Sequence, residues 1–215
     1  EETVRFPMTS ADVLEQEQIS IWYSVPGALR RMVRMGRLAE RPLPALRQVL
    51  FAGEVYPLAE LRSLQAALPD VGLLNLYGPT ETNVCTWWPV PELRAFEGEQ
   101  IPIGFDCGSC EGLVVDEELH PVPDGSVGEL LVRGGTLMEG YWGDPERTAR
   151  AFAPDLLHPH LPDRMYRTGD LVSRRPDGAY DFHGRRDHMV KVRGYRIELG
   201  EIEAALLRIP GIQES

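Results

Sequence analysis

The segment from Asn75 to Thr82 combines side chains that suit a nucleotide site. Tyr77 offers a flat aromatic face for a purine, and the amide of Asn75 can both donate to and accept from the edge of that base. Thr80 can hydrogen-bond a phosphate, while Glu81 supplies a hard carboxylate oxygen for a magnesium ion that bridges phosphates. Taken alone, the same residues fit a turn followed by a cap equally well.

Apolar runs place this segment at the end of a strand in an α/β fold. Residues 49–52 form a short run typical of a buried strand, a helix opens at Pro57, and residues 73–77 form the next strand before a Gly-Pro turn. An earlier helix opens at Pro26. Strand, helix and strand in this order predict a parallel pair, and ligands bind beyond the ends of such strands.

The centre and the end of the chain have a different pattern. Short β-like runs at 112–115, 128–133 and 179–182 alternate with turn-rich pieces, which predicts a small irregular barrel or sandwich. Residues 152–164, rich in proline and histidine, are predicted to form an exposed loop. Residues 189–198 are predicted to form paired strands at the opening of a further domain. The helix predicted after them carries Ile202, Ala205, Leu206 and Ile209 on one face.

Composition argues against several kinds of partner. With 22 basic and 33 acidic residues, the net charge of -11 disfavours nucleic acid and anionic membrane surfaces. No run of about 18 apolar residues and no secretory signal is present, and the missing initiator Met suggests a segment of a longer protein. Three cysteines fit a reducing cytoplasm. The pair Cys107 and Cys110 is interpreted as packing residues rather than a redox or zinc site.

Four segments of the chain, in the same order, resemble motifs of the adenylate-forming superfamily, which contains nonribosomal peptide synthetase adenylation domains, acyl-CoA ligases and luciferases. The Tyr-Gly-Pro-Thr-Glu segment at 77–81 is the first. The others are 128–134 continuing to 140–142, similar to a barrel segment; 166–170, similar to a ribose-binding motif; and 184–203, similar to the hinge and the start of a mobile small domain.

The resemblance implies an α/β plus β-barrel fold, the later part of an adenylate-forming core. Residues 1–86 would be the α/β part of that core, with a parallel sheet and helices. Residues 87–186 would form its distorted β-barrel, and 187–215 the hinge and the beginning of a small α+β domain that is incomplete here. The remainder of the enzyme would lie before residue 1 and after residue 215.

The resemblance also implies roles for individual residues. Asp170 would accept hydrogen bonds from both ribose hydroxyls, Arg185 would hold the ribose from the other side, and Asp187 would be the hinge. Without the resemblance, these three fit a turn, a surface ion pair and a plain loop. The implied nucleotide-binding set is Gly53, Glu54, Asn75, Tyr77, Gly78, Thr80, Asp170 and Arg185. The implied catalytic residues are Thr80 and Glu81, with Glu81 as the magnesium ligand.

The implied reaction uses ATP and Mg²⁺. The carboxylate of an amino acid would displace pyrophosphate to form aminoacyl-AMP, and the acyl group would then pass to the phosphopantetheine thiol of a peptidyl carrier protein. Catalysis would rest on positioning and charge neutralisation rather than on a protein nucleophile. The family's phosphate loop and catalytic lysine have no counterpart in this sequence, so we expect no ATP–pyrophosphate exchange from these residues alone.

The resemblance places a substrate pocket on six positions. They are Tyr23, Leu50, Ala52, Leu76, Val84 and Cys85. This apolar set of modest volume predicts a small apolar side chain, because a buried unpaired charge is costly. The set is similar to that of stand-alone L-proline adenylating enzymes that act in natural product biosynthesis, although some of its members also fit plain core positions.

Two other functions stay open. One is an acyl- or aryl-CoA ligase of the same superfamily; residues 83–85 and Asp187 favour the amino-acid branch without excluding it. The other is a non-catalytic fragment that serves as a scaffold or binds a partner. Retention of Asn75, Tyr77, Asp170 and Arg185 argues against a scaffold, which has no use for a nucleotide-binding set.

Overall fold

The first part of the chain folds into a mixed sheet with helices. The computed structural model describes residues 6–186, 189–192, 195–198, 206 and 209. The elements of this part are α1 (Pro7–Gln16), β1 (Ile21–Ser24), α2 (Pro26–Met35), a 3₁₀ turn (Leu38–Glu40), β2 (Gln48–Phe51), α3 (Leu58–Ala67), β3 (Gly72–Tyr77), β4 (Thr86–Pro89) and β5 (Phe105–Asp106). The sheet has the order β1-β2-β3-β4-β5.

The predicted parallel arrangement is confirmed in this sheet. Strands β1, β2 and β3 are mutually parallel, and β4 and β5 continue the sheet in antiparallel fashion. Pro26 occupies the first turn of α2, where a proline loses no intrahelical hydrogen bond. Pro57 is the N-cap of α3. Proline therefore marks the start of both helices that connect the parallel strands.

The helices cover one face of the first sheet. A buried apolar cluster joins α1, α2 and α3 to the inward side chains of β2 and β3; its members include Ala11, Leu14, Leu29, Met32, Val49, Phe51, Leu61, Leu64 and Leu73. The opposite face carries Ile21 and Tyr23, both exposed, beside the half-buried Leu50 and Leu76. The alternation of side chains along each strand separates these two faces.

The second part is a curled, half-barrel sheet, which confirms the predicted fold class. Its elements are β6 (Cys110–Val115), β7 (Val127–Gly134), α4 (Pro145–Ala151), β8 (Phe152–Pro154), β9 (Arg164–Arg174) and β10 (Tyr180–Arg185). The strand order is β10-β9-β7-β6, with β8 paired to β9. An isolated bridge between Gly104 and Tyr180 connects this sheet to the end of the first one.

The loop predicted over 152–164 is wrong at both ends, where the structure has strands. The sequence predicts an exposed loop over 152–164, but Phe152 opens β8 and Arg164 opens β9. Ala153 and Asp155 are buried, because β8 pairs with β9 and the Asp155 carboxylate lies 3.0 Å from the Arg133 guanidinium. Strand β8 has only three residues, Phe-Ala-Pro, and pairing with β9 stabilises it rather than a strand pattern in its own sequence.

The last described elements form a hairpin. Strand β11 (Met189–Val192) pairs in antiparallel fashion with β12 (Tyr195–Glu198), as the sequence predicts. Asp187 and most of the helix predicted around Leu206 and Ile209 lie outside the described residues. Within the described part of the chain, no helix is both long enough and apolar enough to cross a membrane.

Candidate nucleotide site

Asp170 lies in the middle of β9 and is only 3% exposed. Its partner in register on β10 is Arg185, whose Nη1 lies 2.5 Å from Asp170 Oδ1. The same nitrogen donates to the carbonyl oxygen of Thr168 at 3.0 Å. A buried carboxylate is stable as an anion only when it is paired and hydrogen-bonded, and Arg185 satisfies this condition.

Tyr77 reaches the same carboxylate from the other sheet. Its hydroxyl donates to Asp170 Oδ2, which joins residues 93 positions apart. The ring packs in a buried cluster that includes Cys85, Ile103 and Leu130. Burial raises the pKa of Tyr77 well above its usual value, and the negative charge of Asp170 raises it further, so the phenol stays a neutral donor. The structure therefore brings together three of the predicted nucleotide residues.

The backbone around Asp170 is held by its neighbours. The Thr168 hydroxyl donates to Leu130 O at 2.8 Å and accepts from the Asp170 N–H at 3.0 Å. Gly169 has a φ of +70°, which glycine adopts without strain, and its N–H donates to the buried Glu129 carboxylate. These contacts fix the direction in which the Asp170 side chain leaves the strand.

The tight turn after β3 requires a glycine at position 78. A Cβ on Gly78 would lie 1.8 Å from the carbonyl oxygen of Asn83, so only glycine fits. The turn closes through a hydrogen bond from Cys85 N to Tyr77 O at 2.8 Å, and Thr80 is exposed at its tip. This shape leaves the Thr80 side chain accessible directly beside Glu81.

Glu81 is buried and held by a loop that comes 60 residues later in the chain. Tyr141 donates its hydroxyl to Glu81 Oε1 at 2.8 Å, and Met138 N donates to the Glu81 carbonyl oxygen at 2.8 Å. The Arg147 guanidinium lies over the Tyr141 ring, 4.2 Å from its centroid. Sequence analysis gave Tyr141 no role, because only the fold brings it to Glu81.

Asn75 and Glu54 both form hydrogen bonds within the protein. The Asn75 side-chain amide donates to the carbonyl oxygen of Pro102 at 2.8 Å, so this donor is used within the protein. Glu54 accepts from the N–H of Gly27 at 3.1 Å, at the start of α2. Gly53, with a φ of +93°, lies one strand away from the end of β3. None of the contacts described for these three residues reaches Asp170.

Four of the six predicted pocket residues share the side of the first sheet opposite to the helices. Register pairs Tyr23 with Leu50 across β1 and β2, and alternation along the strands puts the others on the same side. The four are Tyr23, Leu50, Ala52 and Leu76. Strand β3 therefore carries Leu76 on one face and Tyr77 on the other.

The other two pocket residues follow the turn. Val84 is half-buried, and Cys85 packs in the cluster around Tyr77 instead of on the exposed sheet face. Burial raises the pKa of the Cys85 thiol to about 12, so it stays protonated at neutral pH. Cys85 is therefore on the same side as Tyr77 and not beside Leu50 and Leu76.

The donor set fits a nucleotide with magnesium. A carboxylate offers about four lone-pair sites, so Asp170 can accept ribose hydroxyls in addition to Tyr77 and Arg185. Among the described residues, no three His, Cys, Asp or Glu side chains are grouped to hold a metal ion. Magnesium is commonly held by one or two carboxylates together with substrate phosphates, and Glu81 beside Thr80 matches that pattern.

Comparison with known proteins shows the family to which the chain belongs. The family model described as "AMP-binding enzyme" matches residues 1–142. The chain belongs to the AMP-binding enzyme family. Two curated relatives of this AMP-binding chain are an L-proline--[L-prolyl-carrier protein] ligase of Pseudomonas fluorescens, 42% identical over 100% of this chain, and a dimodular nonribosomal peptide synthase of Bacillus subtilis, 39% identical over 100% of it.

Solved structures agree with the AMP-binding assignment. IdnL1 superposes with a TM-score of 0.89 at 35% identity, over 99% of this chain and 44% of its own. PA1221, an NRPS protein with adenylation and PCP domains, superposes with a TM-score of 0.84 at 28% identity, over 97% of this chain and 41% of its own. The AMP-binding chain spans 40% of the length of the prolyl-carrier ligase and 9% of the dimodular synthase.

Proposed function

We propose that this chain forms part of an enzyme that activates an amino acid with ATP. The reaction gives aminoacyl-AMP and pyrophosphate, and the acyl group then passes to the phosphopantetheine thiol of a carrier protein. The observation that carries the proposal is the contact of Tyr77, Asp170 and Arg185, in which residues of three different strands meet at one buried carboxylate. Membership of the AMP-binding family supports it.

Each residue of the site has a proposed task. Asp170 accepts both ribose hydroxyls, Arg185 holds the ribose from the opposite side, and Tyr77, whose ring is buried, orients the Asp170 carboxylate through its hydroxyl. Thr80 donates to a phosphate. Glu81 holds magnesium, which when bound neutralises the charge of the phosphates. Because Tyr141 fixes one Glu81 oxygen, the carboxylate is oriented before the metal arrives.

The remaining predicted residues are proposed to act around this site. Gly53, Glu54, Asn75 and Gly78 shape the end of the first sheet around the nucleotide. Asp187 is the hinge of a small domain. The division into 1–86, 87–186 and 187–215 is retained, with β4 and β5 extending the first sheet across its first boundary.

Proline is the proposed amino acid. The relatives named for L-proline loading are 42% identical to this chain, and the pocket positions are apolar. Tyr23, Leu50 and Leu76 offer no charge to an ionic side chain, whose burial would be costly. A ring of the size of proline suits a surface made of these residues. The carrier protein is the second proposed partner.

The test is amino-acid-dependent ATP–pyrophosphate exchange by the whole protein, with proline, alanine, phenylalanine and glutamate as substrates. We expect the highest rate with proline. Replacing Asp170 by Asn should raise the KM for ATP by about tenfold or more, because hydrogen bonds to a charged group contribute about 1.5–3 kcal/mol. Asp124→Asn, at an exposed turn, is the matched control and should change nothing.

Two results would redirect the proposal. A higher rate with phenylalanine or glutamate would remove the proline assignment and leave the activation reaction in place. Loading of coenzyme A rather than a phosphopantetheinylated carrier would make the protein an acyl- or aryl-CoA ligase. Absence of ATP binding by the whole protein would instead overturn the activation reaction and favour the scaffold function.

A further inference from the structure

The turn between β5 and β6 places two cysteines next to each other. Cys110 N donates to Cys107 O at 2.8 Å, and neither Gly108 nor Ser109 has a positive φ, as in a type I turn. The first and fourth Cα atoms of a β-turn lie less than about 7 Å apart. Disulfides span Cα separations of about 4.4–6.8 Å, so the turn already holds its ends within bonding range.

Both cysteine side chains face the same interior. Cys110 is buried in the cluster that contains Tyr77 and Cys85, and Cys107 packs against that cluster. Burial raises the pKa of the Cys107 thiol, and the nearby Cys110 raises it further. The closeness of the pair therefore rests on the turn, whose two ends are the cysteines.

The turn is fixed at both ends. Cys107 N donates to Cys85 O at 2.9 Å, and Cys110 is paired in register with Gly134 of β7. A Cβ on Gly134 would lie 2.3 Å from the carbonyl oxygen of Ser109, so glycine lets β7 pack closely against the turn. A crosslink here would need little backbone movement, which is the usual obstacle to disulfide formation.

A small reagent can reach the turn. Cys107 is partly exposed, and Gly108, Ser109 and Cys110 line a cavity of about 580 Å³. The third cysteine, Cys85, is 1% exposed and has no turn that links it to either partner. The exposure of Cys107 and the span of the turn therefore favour the Cys107–Cys110 pair over a pair that includes Cys85.

The sequence indicates a packing role for these two cysteines, but the turn gives them a second one. We propose that Cys107 and Cys110 form a reversible disulfide with a small disulfide, such as oxidised glutathione, as the oxidant. The Cys107 thiolate attacks one sulfur of the oxidant, breaks its S–S bond and releases one glutathione thiolate. The Cys110 thiolate then attacks the Cys107 sulfur and releases the second. Two protein thiols are oxidised, one glutathione disulfide is reduced, and the two protons go to the released thiolates.

The modification site is independent of the proposed activity but adjacent to it. Cys85 O accepts from the turn, and Cys85 N donates to Tyr77 O at 2.8 Å, so two hydrogen bonds connect the turn to the candidate nucleotide site. Because the thiol pKa is raised, bridging should accelerate as the pH increases above neutral.

The experiment incubates the protein in mixtures of oxidised and reduced glutathione, blocks free thiols in acid and records intact mass and tryptic peptides. In the wild type we expect loss of two of the three free thiols and a mass decrease of about 2 Da before blocking. The tryptic peptide of residues 95–133, which contains both Cys107 and Cys110, should carry this mass decrease and no blocking group. Cys85→Ser should still form the bridge. Cys107→Ser and Cys110→Ser should not.

Several outcomes would overturn the proposal. Peptide mapping that links Cys85 to either partner would assign the bridge to another pair. A wild-type protein that carries only glutathione mixed disulfides, or keeps three free thiols in fully oxidised buffer, would show that the turn does not close. Because mapping uses the wild type, the conclusion stands even where a serine variant fails to fold.

Discussion

Replacing Tyr77 by Phe separates the hydroxyl from the ring at the centre of the candidate site. The change deletes only the donor to Asp170 Oδ2 and keeps the aromatic ring in its buried cluster. A hydrogen bond to a charged group contributes about 1.5–3 kcal/mol, and a buried carboxylate oxygen that loses its donor is placed at the upper end of this range. Arg185 still pairs with the other oxygen.

We expect Tyr77→Phe to lower the free energy of unfolding by about 2–3 kcal/mol. For a chain of about 200 residues, 1 kcal/mol corresponds to about 2–4 °C, so the melting temperature should fall by about 4–12 °C. Urea unfolding followed by tryptophan fluorescence and a thermal melt followed by circular dichroism give the two values.

The matched control makes the same chemical change at the surface. Tyr23 is 60% exposed, so Tyr23→Phe should stay within about 0.5 kcal/mol of the wild type. If Tyr77→Phe proves no more destabilising than this control, the hydroxyl does not hold the Asp170 carboxylate and the argument for a preformed site is wrong. A large loss for Tyr77→Phe alone supports the argument.

Three further changes test other parts of the structure. Tyr141→Phe frees one oxygen of Glu81 and should raise the Mg²⁺ concentration for half-maximal pyrophosphate exchange by up to about tenfold, as a magnesium titration would show. Gly78→Ala drives a Cβ into the carbonyl oxygen of Asn83 and should destabilise the fold by at least about 2 kcal/mol in urea. Burial raises the pKa of Asp106, so the folded state binds its proton more tightly than the unfolded state. Stability should therefore decrease as the pH rises through the interval between the two pKa values, and Asp106→Asn should flatten that part of a pH series of urea unfolding curves.

Local signals explain which elements the sequence could predict. Strands β2 and β3 are apolar runs ended by turn residues, and α2 and α3 begin at prolines, so their positions depend on neighbouring residues only. Strand β9 has 11 residues, and no local pattern predicts it as a strand. Its Thr168-Gly169-Asp170 segment has the composition of a turn, and pairing with β7 and β10 decides its conformation instead.

The candidate site also has residues that the sequence could predict and contacts that it could not. Residue types at the end of β3 indicated Tyr77, and the family resemblance indicated Asp170 and Arg185. The fold brings all three into contact. Their mutual hydrogen bonds could not be predicted, because they depend on how two sheets meet. The hydrogen bonds from Asn75 to the Pro102 carbonyl and from Tyr141 to Glu81 could not be predicted for the same reason, because they join residues far apart in the sequence.

Because β3 is pleated, the proposed enzyme could change its amino-acid selectivity without a change in its affinity for ATP. Leu76 and Tyr77 are consecutive, yet they point to opposite faces of the sheet. Substitutions at Leu76 are therefore expected to alter the amino-acid selectivity and to leave the affinity for ATP unchanged. A one-residue insertion within β3 would exchange the two faces and abolish both properties together.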